Sequence, residues 1–130
     1  MHRLWMLHHH CQRWGSNHFM SVAIFTNSTY DDLVLQIQEV APGCDLDYLT
    51  IQIIPATNIP IANYPINSLR NLAIAGVSTS HFLYADIDFF GNFELYDILH
   101  SSSSKHAFSQ DPKLAAVIPA LAYKRACADE

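Results

Sequence analysis

The chain has 130 residues, enough for one domain with a sizeable core and not for two. Half of it is hydrophobic and only 15% is charged, which argues against a disordered chain. A net charge of −5 offers no basic face to a phosphate backbone, so nucleic acid is not an expected partner.

The opening "MHRLWMLHHHCQRW" is too polar, and its apolar run too short, for a signal segment. No stretch reaches the roughly 20 apolar residues of a membrane span. "HHH" at 8 to 10 reads as a local bias, with metal binding as the alternative. Cys11, Cys44 and Cys127 are far apart, odd in number and free of any CxxC pair. That spacing predicts neither a zinc ribbon nor a disulfide framework.

"SVAIFTN" (21–27) is a continuous run of β-formers and predicts a strand buried on both faces. A helix follows over 29–40, with Leu33, Ile37 and Val40 on one stripe and Thr29 or Asp31 as its cap. "APGCD" ends it, and "LTIQIIPA" (49–56) alternates as a second strand. A proline-punctuated loop leads to a helix over 65–77. There Pro65 suits the first position, Ile66, Leu69, Leu72 and Ala73 share a face, and Gly76 ends the run. "HFLYADID" (81–88) predicts a third buried strand, "FELYDILHS" (93–101) a short helix, 101–104 a serine-rich loop and 113–123 a fourth strand. The order β-α-β-α-β-α-β with short connections predicts an α/β fold, a mostly parallel sheet covered by helices.

In such sheets ligands sit outside the carboxyl ends of the strands, where Asp86 and Asp88 fall. Strand alternation would put both carboxylates on one side, with Ile87 opposite. Two carboxylates so close repel unless a cation lies near them, and a divalent ion on oxygen ligands removes that cost. The competing explanation is that one aspartate caps the next helix and the other is solvated.

"YPINSLRNLAIAGVSTSHFLYADIDF", Tyr64 to Phe89, resembles the LARGE-type xylosyl- and glucuronyltransferases and the related beta-1,4-glucuronyltransferase, glycosyltransferase family 49. The shared pattern is YP, a hydrophobic residue, N-x-LRN-x-A, a spacer ending in ST, then a hydrophobic strand and D-x-D. "RWGSNHFMSVAIFT" (13–26) is similar to that family's opening strand, and "AAVIPAL" (115–121) to its strand after the DxD.

The resemblance implies a GT-A fold, a UDP-sugar donor and a divalent cation, usually manganese, held partly by Asp86 and Asp88, with Asp88 favoured as the direct ligand. Asn67, Arg70 and Asn71 match the helix motif. Arg70 would meet donor phosphate or the acidic pair, or else be a surface arginine supporting a loop. Thr26 and Asn27 offer hydrogen bonds to a base or ribose, or simply form the turn after the strand.

Family members continue into a second half that supplies the acceptor site, a further metal ligand and the catalytic base, and they carry a membrane anchor and stem for the Golgi. The expectation is therefore the nucleotide-sugar half of such a domain over 13–123, flanked by 1–12 and 124–130, with an apolar edge open to oligomerisation or aggregation. The reaction implied is transfer of glucuronic acid or xylose to a glycan hydroxyl. The alternatives are a non-catalytic domain, or phosphoryl transfer with the first aspartate as nucleophile. Against the latter, Phe89 follows the second aspartate in place of the usual Thr or Val.

Overall fold

The computed structural model describes residues 3–57, 63–111 and 113–119. The chain divides into two units, Met1–Tyr96 and Asp97–Glu130. The first is built on helix α1 (Met6–Trp14), strand β1 (Met20–Thr26), helix α2 (Tyr30–Val40), strand β2 (Leu49–Pro55) and helix α3 (Ile66–Ala75). β1 and β2 pair in parallel, with Val22 opposite Ile51 and Ala23 opposite Gln52. A parallel pair needs a crossover, and α2 supplies it. The architecture is α/β, as expected.

α2 starts where its cap dictates. Thr29 is extended, and its side chain accepts from the Asp32 amide at 3.2 Å, satisfying one of the free donors of the first turn. Leu33 and Ile37, one turn apart, are fully buried. The core joins Leu7 and Cys11 of α1 to Ile37, Ala41 and Leu49, with Met20, Val22, Ile24 and Ile51 packed against it. Met20, Val22 and Ile24 alternate onto one face of β1, and Ile51 lies opposite Val22 on the same sheet face. The other face carries Ser21 and Gln52, which bond α3. Both faces are thus covered, yet β1 is half-buried except at Thr26, because among the described residues the sheet has two strands and each keeps an open edge.

Several expectations need correction. Residues 81–86 form no strand; they pair with neither β1 nor β2, and Phe82 and Tyr84 are exposed. A β-former run without a ladder partner leaves its backbone to water and does not stay regular. In 114–119 the same holds, and 120–123 lie outside the described residues. The amino-terminal segment does not merely flank the domain, since α1 buries Leu7 and Cys11 in the core. A disulfide joins Cys11 to Cys44, 33 residues apart, where the spacing predicted no framework. An odd count obscured it: the third cysteine, Cys127, lies outside the described residues.

α4 (Leu95–His100) crosses the division between the units, and α5 (Ser102–Gln110) belongs to the second. The serine-rich loop expected at 101–104 is instead the start of α5. Ser101 caps it by accepting from the Ser104 amide at 3.3 Å, and Ser104 Oγ donates to Ile98 O at 2.8 Å. Serine disfavours helix interiors but suits this end. Among the described residues, no helix is long and apolar enough to cross a membrane.

Candidate functional site

α3 is fixed from below by the two strands. Gln52 Nε2 donates to Leu72 O at 2.7 Å and Ser21 Oγ donates to Ala73 O at 2.7 Å, satisfying carbonyls of the last turn. Leu69 is buried on the same helix, and Arg70 follows it at the rim. From there the Arg70 guanidinium reaches Asp86, with Nη2 at 2.9 Å from Oδ2 and 3.3 Å from Oδ1.

The acidic pair sits on a turn and not on a strand. The Phe89 amide donates to Asp86 O at 3.0 Å, so Ile87 and Asp88 are its central residues. Aspartate suits the first position of such a turn. The alternation that would have put both carboxylates on one side therefore does not operate here. Asp86 accepts from the Tyr84 hydroxyl as well as from Arg70, and the Arg70 guanidinium lies 5.3 Å from the Tyr84 ring centre. The Tyr84 hydroxyl, and after it Arg70, hold the Asp86 carboxyl below its usual range against the opposing effect of burial. Burial and the bond to Asp86 push the Tyr84 hydroxyl up, and the same carboxylate raises Arg70. Asp88 is paired separately, to Arg3 at 3.0 Å, with both side chains substantially exposed.

Of the other expected residues, Asn67 and Asn71 lie exposed on α3, and Asn27 is exposed in the bend after β1. Among the described residues none of the three has a hydrogen bond to the acidic turn. Thr26 is buried, and its Oγ1 accepts from the Ser28 amide at 3.1 Å, the geometry of the turn alternative. The structure thus bonds Arg70 to Asp86, and among the described residues no side chain of the other expected residues is seen bonded to either of them.

Contacts that the sequence did not signal come from Tyr84 and from α1. His10 Nε2 lies 2.8 Å from Ile87 O and Arg13 Nη1 donates to Gly91 O at 3.0 Å. Leu4, Leu7, Cys11 and Trp14 recur at helical spacing, a signal that would have revealed α1. The histidine tract is no metal cluster: successive helical positions point about 100° apart. His8 accepts from the Gly43 amide at 3.1 Å, His9 meets Trp5 and Phe90, and His10 holds the acidic turn.

Among the described residues, no group of three or more His, Cys, Asp or Glu is arranged to hold a metal ion. Two carboxylates nevertheless suit a cation that arrives on phosphate and brings most of its oxygen ligands with it. Arg70 Nε is buried without a hydrogen-bond partner among the described residues, a free donor beside the carboxylate. An open hollow beside the disulfide, lined by Gln38, Pro42, Gly43, Asp45 and Leu46 among others, contains none of the expected site residues.

The chain is 31% identical to "Xylosyl- and glucuronyltransferase LARGE2" of Mus musculus over 120 residues, 92% of this chain and 17% of that protein. The Homo sapiens protein of the same name is also 31% identical over 120 residues, 92% of this chain and 16% of its own length. "Glycosyltransferase-like protein gnt15" of Dictyostelium discoideum is 45% identical over 42 residues, 32% of this chain and 8% of that protein. The chain therefore spans about one sixth of the length of the LARGE2 proteins it matches. No family model and no solved structure matches it.

Proposed function

The chain is a partial-domain match to the LARGE-type xylosyl- and glucuronyltransferase family, and from that premise we propose that it forms the donor-binding part of a GT-A glycosyltransferase. One observation carries the proposal. Arg70, from the Asn-x-x-Arg-Asn helix, is hydrogen-bonded to Asp86 of the DxD, so the two motifs behind the resemblance meet in space, 16 residues apart in the chain.

In this proposal Asp86 and Asp88 hold a divalent cation, manganese by resemblance, together with the diphosphate of a UDP-sugar. Such an ion supplies charge neutralisation on the leaving diphosphate. Arg70 would meet phosphate oxygens with guanidinium donors not used by Asp86, a role that suits arginine. Asn67 and Asn71, exposed on the same helix, border the donor, and Thr26 and Asn27 at the end of β1 flank the base or ribose. The whole protein would transfer xylose or glucuronic acid to a glycan hydroxyl in the Golgi. The Cys11–Cys44 disulfide suits the oxidising environment of the secretory pathway.

Calorimetry of UDP, GDP and ADP with and without manganese tests the proposal. Manganese-dependent binding with a preference for UDP is expected. Binding that ignores manganese, or that ignores the base, would count against a nucleotide-sugar site.

A further inference from the structure

Helix α1 and the residue Arg3 before it make three contacts with the acidic turn and the segment just after it, which the sequence does not announce. His10 Nε2 lies 2.8 Å from Ile87 O, the carbonyl between the two aspartates. Arg13 Nη1 donates to Gly91 O at 3.0 Å, and its guanidinium lies 4.7 Å from the Phe93 ring centre. Arg3, just before the helix, pairs with Asp88 at 3.0 Å. α1 is also anchored: Leu7 and Cys11 are buried in the core and Cys11 is bonded covalently to Cys44. Leu7, Cys11 and His10 sit at spacings of four, three and one, so one short helix presents both the anchored face and the gripping side chain.

We infer that α1 is the positioning element of the acidic turn, with His10 as its central positioning residue. The turn lacks the ladder that a strand would have supplied, since residues 81–86 form no strand and, among the described residues, share no ladder with β1 or β2. Its backbone is held by side chains instead. For a nitrogen to bond a carbonyl it must carry the proton, so His10 works as a donor through Nε2. The disulfide keeps α1 from swinging away from the core while its side chains grip Ile87 and Gly91. Resting on the donor-site proposal above, this assigns to α1 the task of fixing the spacing of Asp86 and Asp88 before a ligand arrives.

Hydrogen exchange of the Phe89 amide reads the turn directly, because that amide closes it on Asp86 O. Loss of one carbonyl hydrogen bond should speed Phe89 exchange about fivefold in His10→Ala, with the Ile51 and Ile53 amides of β2 unchanged. His10→Gln, which restores an amide donor at a similar reach, should return exchange to the wild-type rate. Where His10→Ala is too unstable to measure, Arg13→Ala removes the neighbouring grip on Gly91 O and should give the same local acceleration. Manganese-dependent UDP affinity should fall by about the same fivefold in His10→Ala and recover in His10→Gln. Unchanged Phe89 exchange, or equal acceleration across β2, overturns the positioning role. A wild-type chain that binds no UDP with manganese overturns the donor site instead, and Phe89 exchange then judges α1 by itself.

Discussion

Arg70 reaches both oxygens of Asp86 through one nitrogen, Nη2, at 2.9 and 3.3 Å, while its Nε stays buried and unpartnered among the described residues. The planar fork of arginine is therefore not used as a fork in this contact. A single-nitrogen pair makes little use of what distinguishes arginine from lysine.

Arg70→Lys should accordingly separate two roles. An ammonium can serve Asp86 at one point, so the melting temperature should stay close to that of wild type, as for other half-exposed pairs. UDP binding in the presence of manganese should fall at least about tenfold if the free guanidinium donors meet phosphate. Full retention of UDP affinity in Arg70→Lys would remove Arg70 from the donor site.

Asp86 also sets a pH dependence. Its carboxyl is held below the usual range in the folded chain, chiefly by the Tyr84 hydroxyl, so the ionised form favours folding. That contribution is present above the unfolded value of about 4 and is lost as pH falls through the lower folded value. Acid unfolding followed by circular dichroism should therefore be shallower below about pH 4 in Asp86→Asn than in wild type. Identical acid profiles would contradict the pairing.

Asp88 should behave differently, because its pair with Arg3 is exposed on both sides. Asp88→Ala should leave the melting temperature nearly unchanged. Manganese affinity should fall at least about tenfold, since a two-carboxylate site loses one charged ligand. Equal manganese affinity in the two proteins would end the metal assignment.

Reduction of Cys11–Cys44 frees a loop of 33 residues and the anchored end of α1. On the chain-entropy account the bond stabilises by about 3–4 kcal/mol. Denaturant midpoints with and without reductant should differ by that order, and Cys11→Ser should match the reduced protein. A midpoint indifferent to reductant would mean the cross-link does not form in solution.

Gly76 tests the seat of α3. A Cβ there would overlap Gln52 Nε2 and Ser21 Oγ. Gln52 would have to leave Leu72 O, so Gly76→Ala should destabilise by about 1 kcal/mol despite the better helix propensity of alanine. In the Gln52→Ala background the same change should cost clearly less, a coupling that a double-mutant cycle would measure.

Local rules account for much of the first unit. The Thr29 cap, the Leu33–Ile37 stripe, the two apolar runs at 20–26 and 49–55 and the helix beginning beside Pro65 are all decided by neighbours a few residues away, and each element formed within a residue or two of its predicted place. The α/β class was legible for the same reason, since short connections leave few ways to fold; the pairing of Arg70 with the acidic pair was one of several alternatives open for that residue.

What the sequence could not decide were the contacts that cross the chain. "HFLYADID" has the composition of a strand, but a strand exists only where a neighbour accepts its hydrogen bonds, and none does among the described residues. Conversely, "LHHHCQRW" looks like a polar flank until Cys11 meets Cys44 and His10 meets Ile87, partners 33 and 77 residues away. Composition records what each side chain is able to bond, and tertiary structure decides which distant group comes within reach.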